Sequence, residues 1–250
     1  MKIAVCVSGI PRSGVGSSEE QNQNLGRNFN QLQKNFPSAD FYLGTWKPYE
    51  DIIKREFPNQ QYWLFDEPNA HYHPWLDAPP ISDKLRKFEK IFRSRPELHE
   101  RTRHQAKQII CHANMVNNLP REYDVIVRVR FDTFTSSKAR FDDYVQAAYN
   151  NKTAIGFACL KQHWPTFNSS VELTKTDDNR DKFLFDSLII HSSDCIDTAN
   201  ISELYKQGML CPAEFGWYQV LSQPYNDNHR CISGWANADR CVLKQFLKEV

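Results

Sequence analysis

The chain has 250 residues, 40% hydrophobic and 13% aromatic, which is enough for one well-covered domain. Its formal net charge of +1 gives no support for the large basic surface of a nucleic-acid-binding protein. No apolar run approaches the ~20 residues of a membrane-spanning helix, and the apolar run at residues 2–8 is too short for a signal peptide. Seven cysteines without a CxxC pair are typical of a reducing compartment, so we expect a cytoplasmic protein.

The first third of the chain alternates strands and helices. A continuous apolar run predicts a strand over residues 2–8, and apolar residues spaced by three and four predict a helix from about 18 to 36. Further strands at 40–46 and 61–65 flank a short helix at 49–57. This spacing implies a parallel sheet built from right-handed crossovers.

The same pattern continues to the end of the sequence. Helices are predicted over 82–94, 96–118, 141–149, 194–207, 213–222 and 238–249, and strands over 123–132, 153–159 and 183–191. We therefore predict one α/β domain over residues 1–250, with a mainly parallel sheet flanked by helices. In open parallel sheets ligands bind at the carboxyl ends of the strands, so the side chains predicted there are the first candidates for a site.

The first candidate is the loop after the first strand, Ser8-Gly9-Ile10-Pro11-Arg12-Ser13-Gly14. A glycine loop before a helix leaves backbone N–H groups for an anion, and Arg12 adds a cation. It is not a Walker A loop, because Val15 stands where that motif has lysine. The alternative is an ordinary tight connection with a surface arginine.

The second candidate is the strand Tyr123-Asp124-Val125-Ile126-Val127-Arg128-Val129-Arg130-Phe131-Asp132. The period of two puts valines on one face and Arg128, Arg130 and Asp132 on the other. Charges on a buried strand are costly unless paired, so they form either an internal network, for instance Arg128 with Asp124 or Asp132, or a site for a diphosphate and its metal ion.

The third candidates are two single carboxylates. Asp186 interrupts the apolar run of the strand predicted at 183–191, and Glu214 begins the helix predicted at 213–222. Each is either structural or a group that takes part in catalysis, and an acid in the first helical turn is favourable in any helix.

Several segments, taken in order, resemble the WavE-like, lipopolysaccharide-synthesis type of glycosyltransferase of bacteria and their viruses. They are Ile3–Arg12, Ala39–Trp46, Tyr123–Asp132, Phe185-Asp186-Ser187-Leu188-Ile189-Ile190 and Glu214. The resemblance implies a GT-A-like fold, with a Rossmann-like nucleotide-binding half at 1–135 and an acceptor half at 136–250. It implies a UDP-, GDP- or CDP-linked sugar as donor, often with Mn²⁺ or Mg²⁺. The acceptor hydroxyl stays open between a glycan, a lipid-linked saccharide and a modified base.

Carried over by position, Ser8, Gly9 and Arg12 would contact the nucleotide, and Arg130 and Asp132 the diphosphate. GT-A enzymes often have a D-x-D motif, whereas Arg130-Phe131-Asp132 supplies one acid. Either Asp132 alone holds the metal ion, or Arg130 replaces it as the charge that stabilises the leaving diphosphate. Asp186 or Glu214 would be the catalytic base.

Two other classes of function remain open. The segment 9–14 also resembles the phosphosulfate loop of sulfotransferases that use PAPS, although Val15 and Gly16 replace the usual hydroxyl pair. The missing second acid of the D-x-D motif would also suit a transferase fold that has become a binding module without turnover.

Overall fold

The computed structural model describes residues 1–11, 25–68, 96–120, 122–133, 135, 139–157, 184, 186–206, 210, 213–221 and 224–225. These residues form a seven-stranded sheet in the order β3-β2-β1-β4-β6-β5-β7. The strands are β1 (Ile3–Ser8), β2 (Asp40–Trp46), β3 (Gln61–Phe65), β4 (Val125–Arg130), β5 (Ala154–Phe157), β6 (Leu188–Ser192) and β7 (Pro224–Tyr225).

Six of the seven strands run in the same direction. β1 pairs in parallel with β2 and β4, and β2 pairs in parallel with β3. β6 is antiparallel to both of its neighbours, β4 and β5, whereas β7 is parallel to β5. The prediction of an α/β domain with a mainly parallel sheet is therefore confirmed, and the order 3-2-1-4 in its first half is that of a Rossmann-like nucleotide-binding unit.

Helices cover both faces of this sheet. They are α1 (Leu25–Asn35), α2 (Glu50–Glu56), α3 (Pro96–Asn118), α4 (Asp142–Asn151), α5 (Ile201–Lys206) and α6 (Ala213–Val220). Residues of α1, α2 and α4 share one apolar cluster with the valines of β4, whereas residues of α3, α5 and α6 pack with Ile189 of β6 on the other side. The fold thus has three layers.

Local sequence explains where these helices begin and end. In α1 the buried Leu25, Phe29 and Leu32 form one stripe, as their spacing predicts. Pro96 begins α3, as expected for a residue that suits the first helical turn. Asp142 and Asp143 stand in the first turn of α4, which ends at Lys152 in the left-handed conformation (φ 49°).

The structure differs from the predicted elements in three ways. The strand expected at 183–191 is the shorter β6, and the helix expected at 194–207 is a 3₁₀ turn at Ser193–Cys195 followed by α5. The third difference is the direction of β6. The helices predicted at 82–94 and 238–249 lie outside the described residues. Among the described residues no helix has the length and apolarity needed to cross a membrane.

Candidate active site

The candidate site lies where β1 and β4 end side by side. β1 and β4 are parallel neighbours at the centre of the sheet, so their carboxyl ends meet at one edge, where ligands bind in open parallel sheets. Ser8, the last residue of β1, is in register with Arg130, the last residue of β4. Two of the residues predicted to bind the donor are therefore neighbours across one strand pair.

Arg130 holds two carboxylates at this edge. Its Nε and Nη2 donate to the two oxygens of Asp132 at 2.7 and 2.5 Å, which is a bidentate pair. Its Nη1 lies 3.5 Å from Oδ1 of Asp186. The Arg130 side chain is 23% exposed, so it is partly accessible at the mouth of the site. The structure thus brings together three of the predicted site residues, Arg130, Asp132 and Asp186.

The antiparallel direction of β6 is what places Asp186 there. We expected Asp186 at the carboxyl end of a strand, but it precedes β6 and lies at its amino end. Since β6 runs against β4, its amino end is at the same edge as the carboxyl end of β4, and the Arg130 N–H donates to the Ser187 carbonyl at 3.3 Å. Asp186 is 7% exposed, and its Oδ2 has no hydrogen-bond partner among the described residues.

Ser8 and Gly9, the predicted nucleotide contacts at the end of β1, make hydrogen bonds within the protein. Ser8 is buried, and its hydroxyl oxygen accepts a hydrogen bond from Nε of Arg128 at 3.4 Å. Gly9 has a φ of +112°, which favours glycine, and its N–H donates to the Gly44 carbonyl at 3.1 Å. The Gly9 amide is thus engaged within the sheet, and an anion at this loop would depend on residues beyond it.

Arg128 is fully buried beneath this edge. Its guanidinium donates to Ser8 Oγ, to the main-chain carbonyl of Asp186 and to the side-chain oxygen of Gln108, and lies 5.0 Å from the centre of the Trp217 ring. The sequence suggests an ion pair of Arg128 with Asp124 or Asp132. In the structure the partners of Arg128 are instead three neutral oxygens and an aromatic face. Burial lowers the pKa of Arg128 to about 10, opposed chiefly by the charge of Asp186, so the group remains a cation at neutral pH.

Two buried histidines lie next to Trp217. The Nε2 atoms of His112 and His191 are 3.1 Å apart, and Nδ1 of His191 is 2.8 Å from the Ser192 carbonyl. Because a carbonyl only accepts, Nδ1 of His191 carries its proton, so His112 Nε2 donates to His191 Nε2. Burial, the neighbouring His191 and the charge of Arg128 hold the pKa of His112 well below its usual range.

The arrangement does not fit a metal ion at Asp132. Both oxygens of that carboxylate accept from Arg130, so a cation would first have to displace the guanidinium. In the part of the chain that the structure describes, no group of three or more His, Cys, Asp or Glu residues is placed to hold a metal. Among the described residues, Arg130 is the cation that lies against the Asp132 carboxylate.

Two predicted site residues are not fully described. Arg12 lies outside the described residues. The backbone of Glu214 is the second residue of α6, as predicted for a residue that begins a helix, but its side chain lies outside the described part. Gln108 and Trp217, which contact Arg128, were not among the sequence candidates, and an isolated glutamine in a long helix gives no signal that could have revealed it.

No protein-family model and no curated protein matches this sequence. Several solved structures of transferases resemble the chain in fold. The galactosyltransferase LgtC, in complex with donor and acceptor sugar analogues, aligns with a TM-score of 0.47 at 8% identity, over 91% of this chain and 73% of that chain.

Two further structures come from named organisms. The 4-diphosphocytidyl-2C-methyl-D-erythritol synthase of Anaerococcus prevotii has a TM-score of 0.42 and 10% identity over 99% of this chain and 98% of its own. The mannosyltransferase Ktr4p of S. cerevisiae, in complex with GDP, has a TM-score of 0.41 and 11% identity over 96% of this chain and 74% of its own. With every TM-score below 0.5, we base the functional inference on the residues of this chain.

Proposed function

We propose that the protein is a glycosyltransferase that moves a sugar from a UDP-, GDP- or CDP-linked donor to an acceptor hydroxyl. The observation that carries the proposal is the charged cluster of Arg130, Asp132 and Asp186 at the carboxyl ends of β1 and β4. The carboxyl ends of the central strands are the usual place for a nucleotide in a Rossmann-like sheet, and a partly exposed guanidinium suits a diphosphate.

Arg130 is the residue that would meet the diphosphate. In the structure Asp132 occupies two of its donors, so a bound diphosphate competes with the Asp132 carboxylate for the same guanidinium. Because the diphosphate gains negative charge as it leaves, Arg130 binds the transition state better than the substrate. Glycan, lipid-linked saccharide and modified base remain the acceptor classes, and residues 136–250 the acceptor half.

Asp186 is the base in this proposal, and Glu214 is the alternative. Oδ2 of Asp186 takes the proton of the acceptor hydroxyl, and the hydroxyl oxygen forms a bond to the anomeric carbon of the donor sugar. The bond from that carbon to the diphosphate oxygen breaks, and its electron pair stays on the diphosphate beside Arg130. Oδ2 suits this role because it is buried and without a partner among the described residues.

The first experiment is a thermal-shift screen of the protein with UDP-, GDP- and CDP-sugars and with PAPS, each with EDTA or with Mn²⁺. A ligand at 100 times its Kd stabilises the fold by about 2.7 kcal/mol, which is a readily measured shift. We expect a nucleotide sugar to give this shift. If only PAPS stabilised the protein, it would be a sulfotransferase instead. If a nucleotide sugar bound but was not turned over, the protein would be a binding module.

Arg130→Ala then tests the diphosphate contact. We expect the Kd for the nucleotide identified above to rise about 10- to 100-fold, since hydrogen bonds to charged groups contribute about 1.5–3 kcal/mol. The matched control is Arg55→Ala, which removes an exposed arginine of α2 that pairs with Glu56. Equal affinity of both variants and the wild type would contradict the assignment.

Asp132→Asn separates the guanidinium from the metal-ion hypothesis. If Asp132 only neutralises Arg130, the substitution removes a competing anion, and we expect nucleoside diphosphate affinity in EDTA to rise several-fold. If Asp132 holds a metal ion instead, binding by the wild type depends on Mn²⁺ and the variant loses that dependence. Isothermal titration with the nucleoside diphosphate, in EDTA and in Mn²⁺, distinguishes the two results.

A further inference from the structure

Arg128 connects four separate parts of the fold through one buried side chain. Its donors reach the end of β1 at Ser8, α3 at Gln108 and the main chain of Asp186 just before β6, and its plane lies against Trp217 of α6. Along the sequence, Ser8, Gln108 and Asp186 are 120, 20 and 58 residues from Arg128.

A cation in this position is not explained by stability. Arg128 is 0% exposed, and replacing a buried charge by an apolar side chain of similar volume is often neutral or stabilising. Three of its partners are neutral acceptors, so it does not gain the full attraction of a direct ion pair. What the guanidinium provides is directional: five donors in a rigid plane that fix several acceptors at once.

The acceptor that matters for function is the Asp186 carbonyl. Arg128 holds the main chain of Asp186. The side chain of Asp186 has its Oδ1 3.5 Å from Nη1 of Arg130, and its Oδ2 is buried without a hydrogen-bond partner among the described residues. A buried carboxylate oxygen without a hydrogen bond is costly and needs the surrounding structure to keep it in place. The contact from Arg128 is such a restraint.

We propose that Arg128 is a positioning residue that fixes the Asp186 carboxylate in the site with Oδ2 directed to a substrate hydroxyl. This inference rests on the proposed function. Arg128 contacts no substrate atom itself. It acts through the main chain of Asp186 and couples that chain to Gln108 and to the end of β1, so the reacting carboxylate and the donor-binding edge keep one geometry.

The test uses Arg128→Met, which fills the volume without donors, and Arg128→Lys, which keeps the charge but cannot reach all the acceptors. Arg55→Met is the matched control at an exposed site. The readouts are hydrolysis or transfer of the nucleotide sugar found by the thermal-shift screen, separated into kcat and KM, and hydrogen exchange of the peptide covering residues 184–192.

We expect both Arg128 variants to lower kcat at least 30-fold with KM within threefold, and to speed exchange over 184–192 at least tenfold, while the control changes neither. A purely structural role would not separate kcat from KM in this way. If Arg128→Met does not fold, Arg128→Lys decides alone, because it retains the buried charge. Wild-type kcat and wild-type exchange in a folded Arg128 variant would overturn the inference. A wild-type protein that turns over no nucleotide sugar would instead overturn the proposed function.

Discussion

On the face of the sheet covered by α1 and α4, aromatic rings such as Phe36 and Phe141 pack with the valines of β4. On the face covered by α3 and α6, the buried side chains include Arg128, His112 and His191. Both layers contain fully buried side chains, but among the described residues the buried arginine and histidine side chains lie in the second. The difference indicates that the first layer mainly stabilises the fold. In the second layer the buried charged and polar side chains cost stability, and they lie beside the candidate site.

Removing an aromatic ring from the apolar layer should have the largest effect. Phe141 is 1% exposed, lies 4.7 Å from Phe36 in a stacked pair and meets Phe157 edge-on at 6.0 Å. Phe141→Ala should lower the free energy of unfolding by about 3–5 kcal/mol, measured by urea unfolding. Nucleotide affinity at a temperature where the variant is folded should stay unchanged. A specific loss of affinity in the folded variant would show that the two layers are not separate in function.

The polar layer should respond to pH instead. Burial lowers the pKa of His191 to about 4, from 6.5 in an ordinary histidine. Between these values the unfolded chain binds a proton that the folded protein does not, so stability is complete above about pH 6.5 and is lost as pH falls towards 4. The loss from His191 amounts to about 3 kcal/mol at most.

His191→Gln provides the comparison, since its side-chain oxygen can still accept from His112 Nε2. We expect the free energy of unfolding of this variant, measured at pH 7, 6 and 5, to fall less steeply than that of the wild type. His112 and Arg128 also face this region; burial, His191 and the charge of Arg128 lower the pKa of His112 as well, so His112 adds to the loss of stability in the same direction. Parallel pH curves for the variant and the wild type would contradict the assignment.

A glycine-to-alanine substitution should change the free energy of unfolding in opposite directions in the two layers. At Gly216 in α6 an added Cβ would lie 2.6 Å from the Leu210 carbonyl oxygen, whereas at Gly26 in α1 nothing lies within 4 Å. Gly216→Ala should therefore destabilise the fold by about 1–3 kcal/mol, because backbone must move. Gly26→Ala should stabilise it by about 0.5 kcal/mol, because alanine favours helix. Thermal unfolding measures both, and two shifts of the same sign would remove the contrast.

Most of the fold followed from local patterns. The alternation of apolar and charged residues in 123–132 correctly placed Val125, Val127 and Val129 in one core and Arg128 on the other face. The direction of β6 did not follow, because a short apolar run has the same pattern in parallel and antiparallel strands. Tertiary pairing alone decides that direction, and with it the position of Asp186.

The candidate site was predictable only in part, for a similar reason. Arg130 ends β4 and Asp132 follows two residues later, so their common position at the strand end follows from the sequence. The partners of Arg128 do not, because Ser8 and Asp186 are brought to it by separate strands of the sheet. The hydrogen bond from the Gly9 N–H to the Gly44 carbonyl could not be predicted either, because it depends on how β1 and β2 pair.

The single reversed strand has a consequence for how such a protein can change over evolution. β5 runs with β4 and β6 runs against it, so Phe157 and Leu188 stand opposite each other at the site edge of the sheet. The chain therefore leaves and re-enters the sheet beside the charged cluster. Insertions between these two residues leave the register untouched, and lengthening a connection costs little, about 0.6 kcal/mol per doubling. The connection between Phe157 and Leu188 can thus change in length without changing how the strands pair.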